Sequence, residues 1–260
     1  MRAKRLIMSI TLAALGVAIA GCAAILLYGQ AQDKQNARLY MRYVESKPIT
    51  ASDTQSEQPP ISVDWKSLTE QNPEVVGWVY VDADNDKDII SYPVLYRKGD
   101  RDHYLRHDIT GTYSKYGVPY IPGDYDLDGK VISIHGHNFG DGEKAMFSPL
   151  LKYESYNYAI NHQIVWYGGA GETLEPYKIC SVMQYDCTDL DSGADCWNYL
   201  QTQWTSDDDY VAWLTEAKNR SLFDLEYQPT SDDGVIILST CQTAQATSLR
   251  CVIIAVKEGD

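Results

Sequence analysis

From Val75 onward, apolar residues come in short runs rather than at helical spacing, and Gly, Asp, Asn or Pro punctuate the runs. They cover residues 75–81, 89–96, 117–121, 130–134, 163–167, 177–185, 234–240 and 250–257, with the lengths and the β-branched and aromatic content of strands. Eight short strands separated by turn residues predict a barrel or a sandwich. Two stretches break the pattern and read as helix. One is 145–152, after a Gly-rich turn. The other is 208–220, where Val211, Leu214 and Ala217 recur at helical spacing behind an acidic first turn. The second lies within the long segment 186–233, so a helix is inserted ahead of the last two strands. A short helical turn at 64–68 opens the domain.

The N-terminal pattern is different. Residues 6–28 carry no charged side chain, and at about 1.5 Å per residue they can cross a hydrocarbon core of about 30 Å. Arg2, Lys4 and Arg5 precede them, which predicts one transmembrane helix with its N-terminus in the cytoplasm and everything after Tyr28 outside. A cleaved signal peptide fits less well, because the apolar run is longer than usual and no small-x-small site closes it. Residues 19–22 also resemble a bacterial lipobox ending on Cys22, although the run stays apolar beyond it; either way the domain is tethered to the outer face. Residues 31–46 continue with helix formers, and 47–62 are rich in Ser, Thr, Gln and Pro, as in a flexible spacer. The predicted organisation is an anchor over 1–29, a juxtamembrane helix and spacer over 30–63, and a folded domain over 64–260.

Composition narrows the function. A hydrophobic content of 44% argues against disorder, and a formal charge of -14 argues against a nucleic-acid partner. Of the six cysteines, Cys22 lies in the anchor and the other five cannot all pair, so at least one thiol stays unoxidised. If any disulfide forms, Cys187 and Cys196 are the expected pair, being close together on a loop-rich stretch. A leftover thiol suits a thiol enzyme, and it also suits a buried cysteine acting as a small hydrophobe.

Residues 235–241 are an apolar strand ending on Cys241, and the chain resumes as a strand at Arg250. Alternation puts Ser239 and Cys241 on one face and Leu238 and Thr240 on the other. Arg250 begins the return strand beside the thiol, where a guanidinium favours a thiolate and offers a forked donor to an oxyanion. Leu238-Ser239-Thr240-Cys241 with Arg250 nine residues later resembles the sortase signature. Ile132-Ser133-Ile134-His135-Gly136-His137-Asn138 ends in the Gly-His where sortases place a catalytic histidine, and residues 146–153 resemble the short helix that follows it. Residues 72–79 and 92–95 resemble the opening strands of class B in particular.

The resemblance spans about residues 64–256. It implies a mainly β fold, an eight-stranded sortase-type β-barrel with N-terminal helices and a helix inserted before the last two strands, beside the one transmembrane helix. It implies a cysteine transpeptidase with Cys241 as nucleophile, His137 as acid/base and Arg250 as oxyanion stabiliser, and with Ser239, Thr240 and Leu105 along the substrate groove. Class B is favoured over class A by the helical preface and the inserted helix, and over class C by the lack of a C-terminal anchor and lid. Where some class B members carry an acidic residue two positions after the cysteine, this chain has Thr243, so a Cys-His-Asp triad is not supported. The implied partners are surface proteins bearing a C-terminal sorting signal, and a lipid-linked peptidoglycan precursor or a pilin amine. The chemistry requires no metal or organic cofactor.

Without the family pattern, Cys241 and His137 would each more often be a packing or loop residue; finding both at strand ends with Arg250 beside them reverses that weighting. His135 is a rival acid/base on the preceding part of the strand. His103 and His107, four apart, lack the third ligand of a zinc set. Asp124-Tyr125-Asp126-Leu127-Asp128-Gly129 matches half of a calcium loop, but His135 stands where the bidentate Glu belongs, and a turn explains the run as well. An L,D-transpeptidase would place its cysteine in a Ser-x-Gly-Cys-x-Arg context that is missing here. A non-catalytic tethered module would need no reactive thiol.

Overall fold

The computed structural model describes residues 2–46, 58–86, 88–140, 145–192, 196–245 and 247–257. It divides into two compact units, Met1–Arg42 and Tyr43–Asp260. The first is the helix α1, Arg2–Met41. Most side chains in its first third lie outside the described residues, and among the described residues no helix is long and apolar enough to cross a membrane.

The second unit begins with a two-stranded antiparallel ribbon, β1 (Val44–Ser46) against β2 (Ile61–Val63). Strands thus occupy both margins of the stretch expected to be spacer; its middle lies outside the described residues. Helix α2 (Trp65–Gln71) follows, capped by the Asp64 carboxylate accepting from Ser67 N–H at 3.1 Å.

All eight predicted strands then form and close into a barrel. They are β3 (Val75–Val81), β4 (Ile90–Tyr96), β5 (Tyr120–Ile121), β6 (Val131–His135), β7 (Ile164–Gly169), β8 (Glu175–Asp186), β9 (Gly234–Cys241) and β10 (Leu249–Lys257). Their order around the barrel is β10-β8-β7-β3-β4-β5-β6-β9. Most neighbours are antiparallel, but β4–β5 and β6–β9 are parallel, so the sheet is mixed. The closing contact between β6 and β9 brings together strands about a hundred residues apart in sequence.

Strand β5 is shorter than the run at 117–121 predicts. Gly117 has φ +58°, and a Cβ there would lie 2.5 Å from the carbonyl oxygens of both Tyr104 and Leu105. Val118 N–H donates to Tyr104 O at 3.0 Å. The start of the run therefore clamps residues 104–105 instead of pairing in the sheet, and only glycine tolerates that approach.

The inserted helix is α5 (Asp207–Asn219), with Ser206 as N-cap and three aspartates in its first turn. The helix predicted at 145–152 forms instead as a 3-10 segment, Ser148–Glu154, behind Met146 at φ +56°. Two short helices, α3 (Tyr156–Asn161) and α4 (Thr188–Ser192), were not visible in the pattern. The side chains of α5 that face the barrel, Tyr210, Trp213, Leu214 and Ala217, bury with Val235, Ile237, Val252, Ile254 and Val131 in one cluster. The insertion is thereby packed onto the outside of β6, β9 and β10.

Candidate active site

In the antiparallel pair β9–β10, Arg250 lies directly opposite Cys241. In the parallel pair β6–β9, His135 lies opposite Ser239. The ladder ends there, with Gly136 N–H donating to Ser239 O at 3.1 Å, and His137 follows just past the end of β6. Cys241 thus sits between Arg250 on β10 and the loop that carries His137; the next residue of that loop, Asn138, reaches it with Nδ2 donating to Cys241 O at 2.9 Å. Alternation also decides the face of Cys241 and Arg250. Val131, Val235, Ile237, Val252 and Ile254, which share their parity on each strand, all pack against the α5 side.

Cys241 is a half-buried thiol, and Cys180, Cys187 and Cys251 are buried. Burial pushes the thiols of Cys180 and Cys251 far up, so they stay protonated. Cys251 is turned to the opposite face, with Sγ 3.7 Å from Leu150 O. No disulfide joins Cys187 to Cys196, which corrects the pairing expected from their proximity. Tyr185, not Cys187, reaches the Cys196 sulfur, at 4.0 Å.

His137 follows Gly136, where a Cβ would lie 2.7 Å from the Phe147 ring; the histidine loop can pass that ring only as glycine. His137 O accepts from Phe147 N–H at 2.9 Å. On the imidazole, Nε2–H donates to Leu105 O at 2.9 Å, which leaves Nδ1 as the basic nitrogen of the neutral ring. Burial lowers the imidazole pKa; the Leu105 carbonyl opposes this by stabilising the cation, and the Arg106 charge adds to the lowering. The ring's orienting partner is therefore a peptide oxygen rather than a carboxylate. Thr243 donates to Gln245 O at 3.0 Å.

Leu105 O is itself held firmly. The Tyr104 hydroxyl donates to Glu74 and accepts from Asn72 Nδ2 at 3.1 Å. Arg97 grips both oxygens of Glu74, Nε to Oε1 at 2.9 Å and an Nη to Oε2 at 2.7 Å, and that pair keeps the Glu74 carboxyl below its ordinary range.

No family model matches the chain. Two curated relatives do. A sortase B of Staphylococcus aureus is 26% identical over 230 residues, 87% of this chain and 86% of the relative. A sortase B of Listeria monocytogenes is 29% identical over 181 residues, 68% of this chain and 67% of the relative. Among solved structures, the sortase B of Clostridium perfringens superposes with a TM-score of 0.63 at 27% identity, covering 74% of this chain and 97% of that one. The chain is similar to class B sortases over most of its length. It is, accordingly, a cysteine transpeptidase with the eight-stranded barrel of that family.

The three residues expected along the substrate groove stand differently from one another. Ser239 and Thr240 are each 2% exposed. The Ser239 hydroxyl hydrogen-bonds with Tyr199 Oη at 3.1 Å, and the Thr240 hydroxyl donates to Gly136 O at 2.7 Å. Both hydroxyls are occupied inside the fold rather than open to a groove, because β9 is paired on both edges and covered on both faces; they fix the strand end. Leu105 is half-buried, and its carbonyl is what meets His137. Arg250 is half-buried, with Nη1 donating to the carbonyls of Thr247 and Leu249, the latter at 3.1 Å.

The rival residues are otherwise employed. Burial, with the charges of Arg101 and Arg250, lowers the His135 pKa to about 3. Its Nε2 lies 3.1 Å from Ser133 Oγ, and the rings of Tyr120 and Tyr125 pack on it. It is a neutral packing residue at physiological pH. The His103 and His107 rings stack at 4.2 Å, with His103 Nδ1 3.2 Å from an Asp100 oxygen. Asp124 pairs with Arg101, and Asp126 accepts from Asp128 N–H at 3.2 Å, so these carboxylates shape a turn. Among the described residues no group of three or more His, Cys, Asp or Glu could hold a metal.

Proposed function

We propose that this sortase cleaves the C-terminal sorting signal of exported proteins through a thioacyl intermediate on Cys241 and passes the acyl group to an amine. The reading is supported by Arg250 lying opposite Cys241 across β9–β10, and by the His137 loop beyond β6, tied to Cys241 O through Asn138 Nδ2. His137 takes the proton of the Cys241 thiol, and the thiolate attacks the carbonyl carbon of a sorting-signal threonine, forming a C–S bond. Arg250 donates to the oxyanion that develops, and His137 delivers a proton to the amine that leaves as the C–N bond breaks. The incoming amine then attacks the thioester, His137 takes its proton, and the thiolate is released. The acceptor amine belongs to a peptidoglycan precursor or a pilin lysine. Mass spectrometry of the enzyme with a sorting-signal peptide should find a thioester on Cys241; an adduct on Cys196 or Cys251 would refute the reading.

Arg250 carries the oxyanion in this scheme. Arg250→Lys keeps the charge but loses the planar fork, so turnover should fall on the order of 10²-fold with the fold intact. Near-wild-type turnover would remove Arg250 from that role.

The catalytic domain is proposed to work on the outer face of the membrane. Support comes from the uncharged run over residues 6–28 behind Arg2, Lys4 and Arg5, carried on α1. Protease added to intact, wall-stripped cells should digest the domain and spare the N-terminus. A protected domain would overturn the orientation.

A further inference from the structure

The parallel ladder between β6 and β9 stops one rung short of the thiol. Its last backbone rung is Gly136 N–H donating to Ser239 O at 3.1 Å. In a parallel pair the next rung comes two residues later on both strands, from residue 138 to Cys241 O. The backbone has left the sheet by then, and the rung is made by a side chain: Asn138 Nδ2 donates to Cys241 O at 2.9 Å. The other end of that amide is also used, since Asn138 Oδ1 accepts from Gly140 N–H at 2.7 Å. Asn138 is 4% exposed, so losing either bond would strand a buried polar group.

His137 is the residue between these two rungs. It is gripped on one side through Gly136 and on the other through Asn138, both tied to β9. The imidazole spends its Nε2–H on Leu105, so its distance from the thiol is set by the backbone on which it rides.

We propose that Asn138 is a positioning residue for the transfer reaction, a side-chain rung that extends the sheet past the point where the backbone departs and holds the His137 loop in register with Cys241. The assignment rests on the reading of Cys241 and His137 given above. Asn138 touches neither substrate nor the reacting atoms, so its loss acts on alignment. Misplacement by about 1 Å costs on the order of 10²-fold in rate.

Asn138→Ala in the full chain should therefore lower kcat on the order of 10²-fold with KM within about twofold of wild type. Asn138→Asp keeps the shape and the Gly140 bond but has no N–H for Cys241 O. It should show the same split, and it serves if the alanine variant fails to fold. A merely structural role would not predict the decisive readout, which is coupling to His137. With iodoacetamide as probe, Asn138→Ala should change the pH dependence of Cys241 alkylation in the wild-type background and leave it unchanged when added to His137→Ala. A wild-type kcat in Asn138→Asp, or an equal effect of Asn138→Ala in both backgrounds, would overturn the proposal. Cys241→Ala separates the two levels: if that variant still transfers, the site reading and this proposal fall together. If it is dead while Asn138→Asp is normal, only the role of Asn138 falls.

Discussion

Cys241→Ala is expected to lose both hydrolysis and transfer of a sorting-signal peptide, by at least about 10⁴-fold, with the thermal midpoint near that of the wild type. The magnitude follows from the chemistry. The reaction runs through a covalent thioester, so without the sulfur there is no shared intermediate for the amine to intercept, and removing a nucleophile typically costs several orders of magnitude. No neighbouring thiol can substitute. Cys251 lies one residue past Arg250 in sequence but on the other face, against Leu150 O, and burial keeps it protonated. Stability should change little, because Cys241 is half-buried at a strand end and its fixed contact in the sheet is the backbone carbonyl that Asn138 holds. Cys251→Ala is the control, with full activity expected. Measurable transfer by Cys241→Ala, or its loss in a well-folded Cys251→Ala, would mean that the wrong sulfur has been assigned.

Much of the barrel was legible because each strand is short, bounded by turn residues, and rich in Val, Ile and Tyr. The two errors of length share a cause. At 117–121 and 145–152 the local pattern favours a regular element, but Gly117 and Met146 adopt positive φ, and tertiary contacts take over the neighbouring backbone groups. Short helices such as Thr188–Ser192 span too few turns to leave a periodic trace. The absent Cys187–Cys196 bond has another lesson: closeness in sequence says nothing about whether two Cβ vectors face each other.

The site was legible where it coincided with strand ends, and not where it depends on pairing between distant strands. Cys241 and Arg250 belong to one hairpin, so their juxtaposition follows from counting. That the loop carrying His137 reaches Cys241 follows from the parallel pairing of β6 with β9, which no local pattern encodes. Alternation correctly sorted Ser239 from Thr240, yet it carries no information about what covers each face; Tyr199 and Gly136 turn out to hold their hydroxyls. The support under Leu105, built from Glu74, Arg97, Asn72 and Tyr104, was missed for the same reason. The one trace available was Asn138 itself, adjoining the Gly-His pair.

His137→Ala is expected to retain the fold and the thiol yet lose about three to four orders of magnitude in turnover, the scale of general acid-base catalysis by one group. His137 contributes in both half-reactions, first as the acid for the leaving amine and then as the base for the incoming one. Adding Cys241→Ala should make little further difference, because groups that act as a unit are not additive. The pH profile gives a sharper check. Burial lowers the His137 pKa, so the folded protein favours the neutral ring, and protonation sets in only below the ordinary value of about 6.5. Below that folded pKa the imidazolium cannot accept the amine's proton, so transfer should slow as pH falls, with the limb lying on the acid side of about 6.5. Measured at a fixed concentration of unprotonated amine, the limb should be present in the wild type and in His135→Ala and absent from the residual activity of His137→Ala. If it persisted in His137→Ala and vanished in His135→Ala, the acid/base would be the half-buried histidine that ends β6, and the Leu105 carbonyl would be orienting a spectator.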